Sequence, residues 1–169
     1  MLVRRYRFNR VASCAVLAPL ALFSSTAFAQ QLSLSNARGL DFGRFVAGSG
    51  GTVIVSPAGL RSRTGAVVLL TSPNAGQALF NASRISGIGS GSGTDTTTAV
   101  SISLPANGSV WLTGSGGGTM AVNNFVSTPA ATGSFQAPMT LTVGATLTVA
   151  PNQAPGTYTG TFSVTVNYQ

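Results

Sequence analysis

The sequence predicts an all-β protein that folds as one β-sandwich, and three observations carry this prediction. The 169-residue chain contains 21 glycines and 8 prolines, and all of them except Pro19 lie after residue 29. These turn-forming residues separate short runs of threonine, serine and valine, and no segment after residue 29 has a convincing helical pattern. The C-terminal segment alternates between apolar and polar residues. Many short strands with turns between them are typical of a sandwich.

Eleven segments have the composition of strands. Two of them flank Gly144 and Ala145, a pair suited to a tight hairpin turn, although a kink within one long strand is the alternative. Trp111 lies in another segment, and we expect it to anchor the core because aromatic side chains usually bury there. The predicted strands are residues 31–37, 40–46, 52–56, 66–71, 78–83, 99–104, 110–113, 119–125, 139–143, 146–149 and 157–168.

The clearest of these strands lies at the C-terminal end. From Thr157 to Tyr168, apolar residues and Gly160 occupy every even position, and threonine, serine or asparagine occupies every odd one. Successive side chains of a strand point to opposite faces, so this strand has one apolar and one polar face. Its length is roughly 40 Å at about 3.4 Å per residue. It must bury its apolar face in its own domain or offer an edge to a partner.

Residues 1–29 have the three parts of a secretory signal peptide. Four arginines in the first ten residues precede an apolar run at residues 11–23, and the tripeptide at 27–29 matches a cleavage site. Cleavage after Ala29 leaves residues 30–169 as a single domain of 169 − 29 = 140 residues. The apolar run is shorter than the about 20 residues that a bilayer span requires. We therefore expect a secreted protein without membrane insertion.

The residues needed for most catalysis are missing after residue 29. That part of the chain has no cysteine, histidine, lysine or glutamate, and its only acidic residues are Asp41 and Asp95. Acid–base and nucleophilic catalysis need a positioned titratable group or an activated nucleophile. We interpret Asp41 as part of a turn or strand start and Asp95 as part of a loop. The sequence therefore predicts no enzymatic activity, no cofactor and no metal.

The basic charge of the chain belongs mostly to its first residues. The formal charge of +7 becomes 5 − 2 = +3 after residue 29, because four of the nine arginines lie before it. The other five are scattered, and we interpret Arg61 and Arg63 as a solvated pair on one strand face. The glycine clusters at residues 87–93 and 114–118 precede strand-like segments, whereas a phosphate loop precedes a helix. We therefore expect loops there and no binding of nucleic acid.

The C-terminal motif resembles that of chaperone–usher fimbrial subunits, the pilin superfamily. Counted back from Gln169, Gly156 is the fourteenth residue and Tyr168 is the penultimate one, with alternating apolar residues between them. Subunits of that superfamily carry a glycine and a tyrosine at these places. The segments at residues 40–43 and 141–149 resemble a separate branch of secreted fimbria-related domains.

The resemblance implies an immunoglobulin-like sandwich that lacks its final strand and is completed by strand exchange. A periplasmic chaperone first fills the groove beside the last strand, and the N-terminal segment of an identical or related subunit replaces it at the outer-membrane usher. The implied function is that of a structural fimbrial subunit, which supports surface adhesion or biofilm. The implied groove strand contains Gly156, Tyr158, Phe162, Val164, Val166 and Tyr168, and the candidate donor residues are Leu32 and Leu34.

The donor segment departs from the pattern of that superfamily. The register that presents Leu32 and Leu34 next brings Asn36 and Arg38, which fill an apolar groove poorly. The disulfide of many pilins is also missing. Residues 32–37 are therefore either a weak donor strand or an internal strand that completes this domain.

A second function is compatible with the sequence. A secreted, self-contained β-sandwich could bind glycans or matrix through Trp111, Tyr158 or the glycine-rich loops. Oligomeric state separates this hypothesis from the first, because a binding module works as a monomer and a fimbrial subunit polymerises.

Overall fold

The computed structural model describes residues 31–85, 98–135 and 139–168, in which the regular secondary structure is β-strand. The predicted all-β sandwich is confirmed, because antiparallel sheets enclose an apolar core. Within these ranges no helix has the length and apolar character needed to cross a bilayer. The predicted signal peptide at residues 1–29 and the predicted loop around Asp95 lie outside the described residues.

The strands, in chain order, are β1 (Gln31–Arg38), β2 (Phe45–Val46), β3 (Gly51–Val55), β4 (Arg61–Gly65), β5 (Val68–Leu69), β6 (Ala78–Ile85), β7 (Thr98–Ser103), β8 (Val110–Gly114), β9 (Thr119–Thr128), β10 (Thr132–Phe135), β11 (Met139–Val149), β12 (Tyr158–Thr159) and β13 (Thr165–Tyr168). The largest sheet has the order β1-β6-β11-β9-β8-β12, with β3 beside β11 and β4 beside β3. A second sheet has the order β10-β7-β13, and β2 pairs with β5. All of these pairings are antiparallel.

The long strand β11 is the centre of the largest sheet. Its first half pairs with β6, its second half pairs with β3, and β9 runs along its other side. The hairpin predicted at Gly144 is therefore wrong, and the alternative of one long strand is confirmed, with a register shift against β9 at this point. A Cβ atom on Gly144 would collide with the main chain of Val55 and Ser56, so glycine permits the close approach of β3.

The core consists of two clusters of buried side chains. One is centred on Val53, Val122 and Leu147, and the other on Phe80 and Leu141. Three half-buried residues pack against both clusters and so connect them: Leu40, Phe125 and Phe162. Val53, Leu141 and Leu147 are at most 1 % exposed, so the alternation of leucine and valine in β3 and β11 places these side chains fully inside.

The C-terminal segment serves two sheets instead of forming the single twelve-residue strand that the alternation predicted. It is paired with β8 in β12 and with β7 in β13, while residues 160–164 between them belong to no strand. The alternation itself is confirmed, because Tyr158, Phe162, Val164 and Val166 are half-buried and the odd residues from 157 to 167 are exposed. Two further strands, β4 and β10, lie outside the predicted ranges, because their sequences are short and mostly polar.

Trp111 does not anchor the core, so that prediction is wrong. Val110 and Leu112, its neighbours on β8, face the core, and alternation turns Trp111 to the outer face, where it is 52 % exposed.

Replacement of Gly144 by alanine tests the packing of β3 against β11. We expect Gly144→Ala to lower the free energy of unfolding by about 1–3 kcal/mol, because the new methyl group forces two main chains apart. Gly39→Ala is the matched control, since a Cβ atom there meets nothing within 4 Å; its effect should stay within about 1 kcal/mol. Equal effects of the two substitutions in a urea titration would contradict this view of β11.

Candidate functional site: a cleft beside the C-terminal segment

A cleft of about 1160 Å³ lies beside the C-terminal segment. Its two walls are continuous stretches of chain, residues 39–48 on one side and residues 152–162 on the other. Its floor contains side chains of the first core cluster, among them Val110, Met120 and Leu147.

Main-chain hydrogen bonds attach the first wall to the rest of the domain. The main chain of Asp41 exchanges two hydrogen bonds with Gly76, at 2.9 and 2.8 Å. The Asp41 carboxylate accepts a 2.7 Å hydrogen bond from the main-chain N–H of Gly43, as expected for a turn. Further along the wall, β2 pairs with β5. The turn assignment predicted for Asp41 therefore agrees with its contacts, and the carboxylate supports the wall.

The side chain of Arg61 also attaches this wall to the rest of the domain. Its guanidinium group donates hydrogen bonds to the carbonyl oxygens of Arg44 at 3.0 Å and Leu70 at 3.2 Å. Arg61 is half-buried, and its Nε atom is buried without a hydrogen-bond partner among the described residues. The predicted solvated pair is therefore wrong for Arg61, whereas Arg63 is exposed. Arg61 thus ties the chain before β2 to the chain after β5.

Tyr158 fixes the start of the second wall. Its hydroxyl group donates a 2.7 Å hydrogen bond to the carbonyl oxygen of Ala154 and accepts a 2.8 Å hydrogen bond from Nε2 of Gln153. A tyrosine that reaches back to the main chain just before a late strand has the geometry of the tyrosine corner found in Greek-key sandwiches. Gly156, inside this corner, has a φ angle of 155°, which side-chain-bearing residues rarely adopt.

The second wall continues past β12 without a strand partner. Among the main-chain hydrogen bonds of the described residues outside the strand ladders, none involves residues 160–164. Gly160 lies close to the carbonyl oxygen of Trp111 and to Leu112 of β8. At this point the C-terminal segment moves away from β8. The wall is held here by Phe162, whose ring centroid lies 5.2 Å from that of Phe125 and 6.2 Å from that of Phe80. Side chains, more than main-chain hydrogen bonds, thus fix this part of the wall.

Only some of the predicted site residues line the cleft. Gly156, Tyr158 and Phe162 line it. Val164 and Val166 instead pack against the second core cluster, and Tyr168 pairs with Val100 in the second sheet. The first wall was not predicted as part of a site, although the alternation of Leu40 and Phe42 indicated a strand there.

The candidate donor residues lie in an edge strand of the same chain. In β1, Leu32 pairs with Arg84 and Leu34 pairs with Ala82 of β6. Leu34 is half-buried against the second core cluster, while Ser35, Asn36 and Ala37 are exposed. In the isolated chain, β1 therefore extends the largest sheet and does not occupy the cleft.

These features define the protein as an antiparallel β-sandwich with a cleft along its C-terminal segment. Residues 32–168 match the family model described as Domain of unknown function (DUF4402), and the chain belongs to that family. The matched region contains both walls of the cleft. No curated protein and no solved structure matches the chain.

Removal of the Tyr158 hydroxyl group tests the corner that shapes the second wall. We expect Tyr158→Phe to lower the free energy of unfolding by about 1–2 kcal/mol, because the substitution removes hydrogen bonds to Ala154 and Gln153. Thr161→Ala, at an exposed position of the same wall, should change it by less than about 0.5 kcal/mol. Thermal unfolding followed by circular dichroism measures both. A Tyr158→Phe protein as stable as Thr161→Ala would show that the corner contributes nothing.

Proposed function

We propose that the protein is a structural fimbrial subunit and that its cleft accepts an extended strand from another subunit. The observation that carries the proposal is the cleft itself, which has two continuous walls and reaches the apolar core. One wall contains Gly156 and Tyr158, from the C-terminal motif that resembles chaperone–usher subunits. The implied partners are identical or related subunits, a periplasmic chaperone and an outer-membrane usher, and the implied location is the cell surface.

The main chain of the second wall supports strand addition. Residues 160–162 of this wall line the cleft and belong to no strand, so their main-chain groups can pair with an incoming strand. Alternate side chains of that strand would point to the apolar floor. The two candidate donor residues, Leu32 and Leu34, at about 1.5–3 kcal/mol each contribute roughly 3–6 kcal/mol. The main-chain hydrogen bonds of the added strand contribute to the affinity as well.

The sparse surface charge favours contact between copies. Beyond the predicted signal peptide, the chain has five arginines and two aspartates. With few charges, copies repel one another weakly, and self-association costs little electrostatic energy. Head-to-tail strand addition does not close on itself, so its product is a filament.

We further propose that β1 is the exchanging strand, with Leu32 and Leu34 as the inserted residues. In the isolated chain, β1 is an edge strand that pairs with β6 alone, so its release opens one strand ladder and frees Leu34 from the second core cluster. The same segment would then complete the sheet of one subunit before assembly and enter the cleft of its neighbour afterwards.

A disulfide that locks β1 to β6 tests this exchange. Ser35 and Asn81 are cross-strand partners with exposed side chains, and such partners lie about 4.5–5.5 Å apart, within the range of a disulfide. The chain has a single cysteine, Cys14 in the predicted signal peptide, so the engineered pair has no competitor after cleavage. We expect Ser35→Cys/Asn81→Cys to form no filaments when oxidised and normal filaments after reduction, as seen by electron microscopy of the cell surface.

The control for the disulfide lies elsewhere in the same sheet. Thr52 and Thr64 pair across β3 and β4, so Thr52→Cys/Thr64→Cys should polymerise in both redox states. Filaments from the oxidised β1–β6 protein would rule out β1 as the exchanging strand. The fimbrial function itself fails if the tagged wild-type chain, expressed in its own cells, labels no surface filaments.

A synthetic peptide tests the cleft independently of assembly. A peptide of residues 31–38 should raise the melting temperature of the purified chain, because a ligand at 100 times its Kd stabilises the folded state by about 2.7 kcal/mol. The control peptide carries aspartate in place of Leu32 and Leu34 and should have no effect. An equal response to both peptides would contradict insertion of the leucines.

A further inference from the structure

The outer face of the largest sheet carries an exposed aromatic ring that the cleft does not use. Trp111 is the only tryptophan of the chain. Val110 and Leu112, on the opposite side of β8, line the floor of the cleft, so Trp111 and the cleft lie on different faces of the same strand. Large aromatic side chains gain stability by burial, and a half-exposed indole forgoes part of that gain.

The indole ring is held in place by hydrogen bonds. Its Nε1–H donates a 3.0 Å hydrogen bond to the carbonyl oxygen of Gly108. The main-chain N–H of Gly108 in turn donates a 2.7 Å hydrogen bond to Oδ1 of Asn123. The main-chain N–H of Asn124 donates a 2.8 Å hydrogen bond to Oδ1 of Asn107. The turn before β8 is therefore attached to β9, the ring is attached to the turn, and the polar edge of the indole is already satisfied.

Small and hydroxyl-bearing side chains surround the ring. Ala121 of β9, which carries only a methyl group, is the direct cross-strand partner of Trp111. Thr113 lies two residues after Trp111 on the same face of β8. It pairs with Thr119 of β9 on one side and with Thr159 of β12 on the other. These three exposed threonines form a row across three strands, at spacings of about 5 Å. Each hydroxyl group can donate and accept a hydrogen bond.

This face carries no ionisable side chain among the described residues of β8, β9 and β12. The arginines of β4 project to the other face, because their cross-strand partners Val53 and Val55 are buried. Nothing here would attract a phosphate, a carboxylate or a cation. A neutral ligand with many hydroxyl groups and an apolar ring face matches both the indole and the threonine row.

We propose that Trp111 and the threonine row form a binding site for a neutral polysaccharide. The apolar face of one sugar ring stacks on the indole, and hydroxyl groups of the neighbouring ring exchange hydrogen bonds with Thr113 and its partners. Because the ring is fixed before the ligand arrives, little side-chain freedom is lost on binding. The site does not depend on the cleft, and repetition along a filament would add avidity to a weak single contact.

The single tryptophan reports directly on this site. The purified chain is titrated with laminarin, dextran, mannan and chito-oligosaccharides while its emission and its quenching by acrylamide are recorded. We expect at least one of these neutral saccharides to shift the emission to shorter wavelength and to reduce quenching. In affinity electrophoresis with that saccharide, Trp111→Ala should bind at least about tenfold more weakly, and Thr113→Ala should bind more weakly than wild type.

Ser62→Ala serves as the matched control, because Ser62 is exposed on the distant edge strand β4 of the same sheet. It should bind as the wild type does. Trp111→Phe, which keeps a ring, replaces Trp111→Ala if the alanine protein does not fold, and it should retain part of the binding. The proposal is overturned if none of the saccharides changes the emission at millimolar concentration. It is also overturned if quenching falls as protein concentration rises without saccharide, since a second copy then covers the ring.

Discussion

Phe162 occupies the point where the two core clusters meet, and much of the architecture depends on that contact. Its ring lies against Phe125 and Phe80, and it packs against both clusters. The chain leaves the largest sheet after β12, places Phe162 between the two clusters and joins the second sheet at β13. Residues 160–162, between these two strands, form the end of one wall of the cleft. The same stretch of chain therefore closes the core and borders the cleft.

The sequence predicted which side chains face the core wherever apolar and polar residues alternate along a strand. The apolar positions of the C-terminal segment and of β11 follow the period of a strand; those of β11 from Leu141 to Val149 are buried, and Tyr158, Phe162, Val164 and Val166 are half-buried. Three features could not be predicted in this way. Gly144 has the composition of a turn, yet its lack of a side chain serves the approach of β3. Arg61 lies in a polar strand, and only tertiary contacts show that it supports a wall. The outward orientation of Trp111 depends on which face of β8 meets the core.

The two proposals assign different functions to the two faces of β8. The inner side of β8 contributes Val110 and Leu112 to the floor of the cleft, where an incoming strand would bury its apolar residues. The outer side presents Trp111 and Thr113 to solvent. Polymerisation through one side leaves the other accessible along the whole filament. A sheet with few charges suits both functions, because it neither repels a second copy nor selects a charged ligand.

Hydrogen exchange at the main-chain amides of residues 160–164 tests the central claim most directly. None of these residues lies in a strand, and residues 160–162 line the cleft, so their amides should exchange rapidly in the isolated chain. Insertion of a strand from a second subunit should give them new hydrogen-bond partners and slow their exchange at least about tenfold in the assembled state. The amides of β11, already paired on both sides, should change little and serve as the internal reference. Equal exchange at residues 160–164 in the isolated and assembled protein would contradict strand insertion at this cleft.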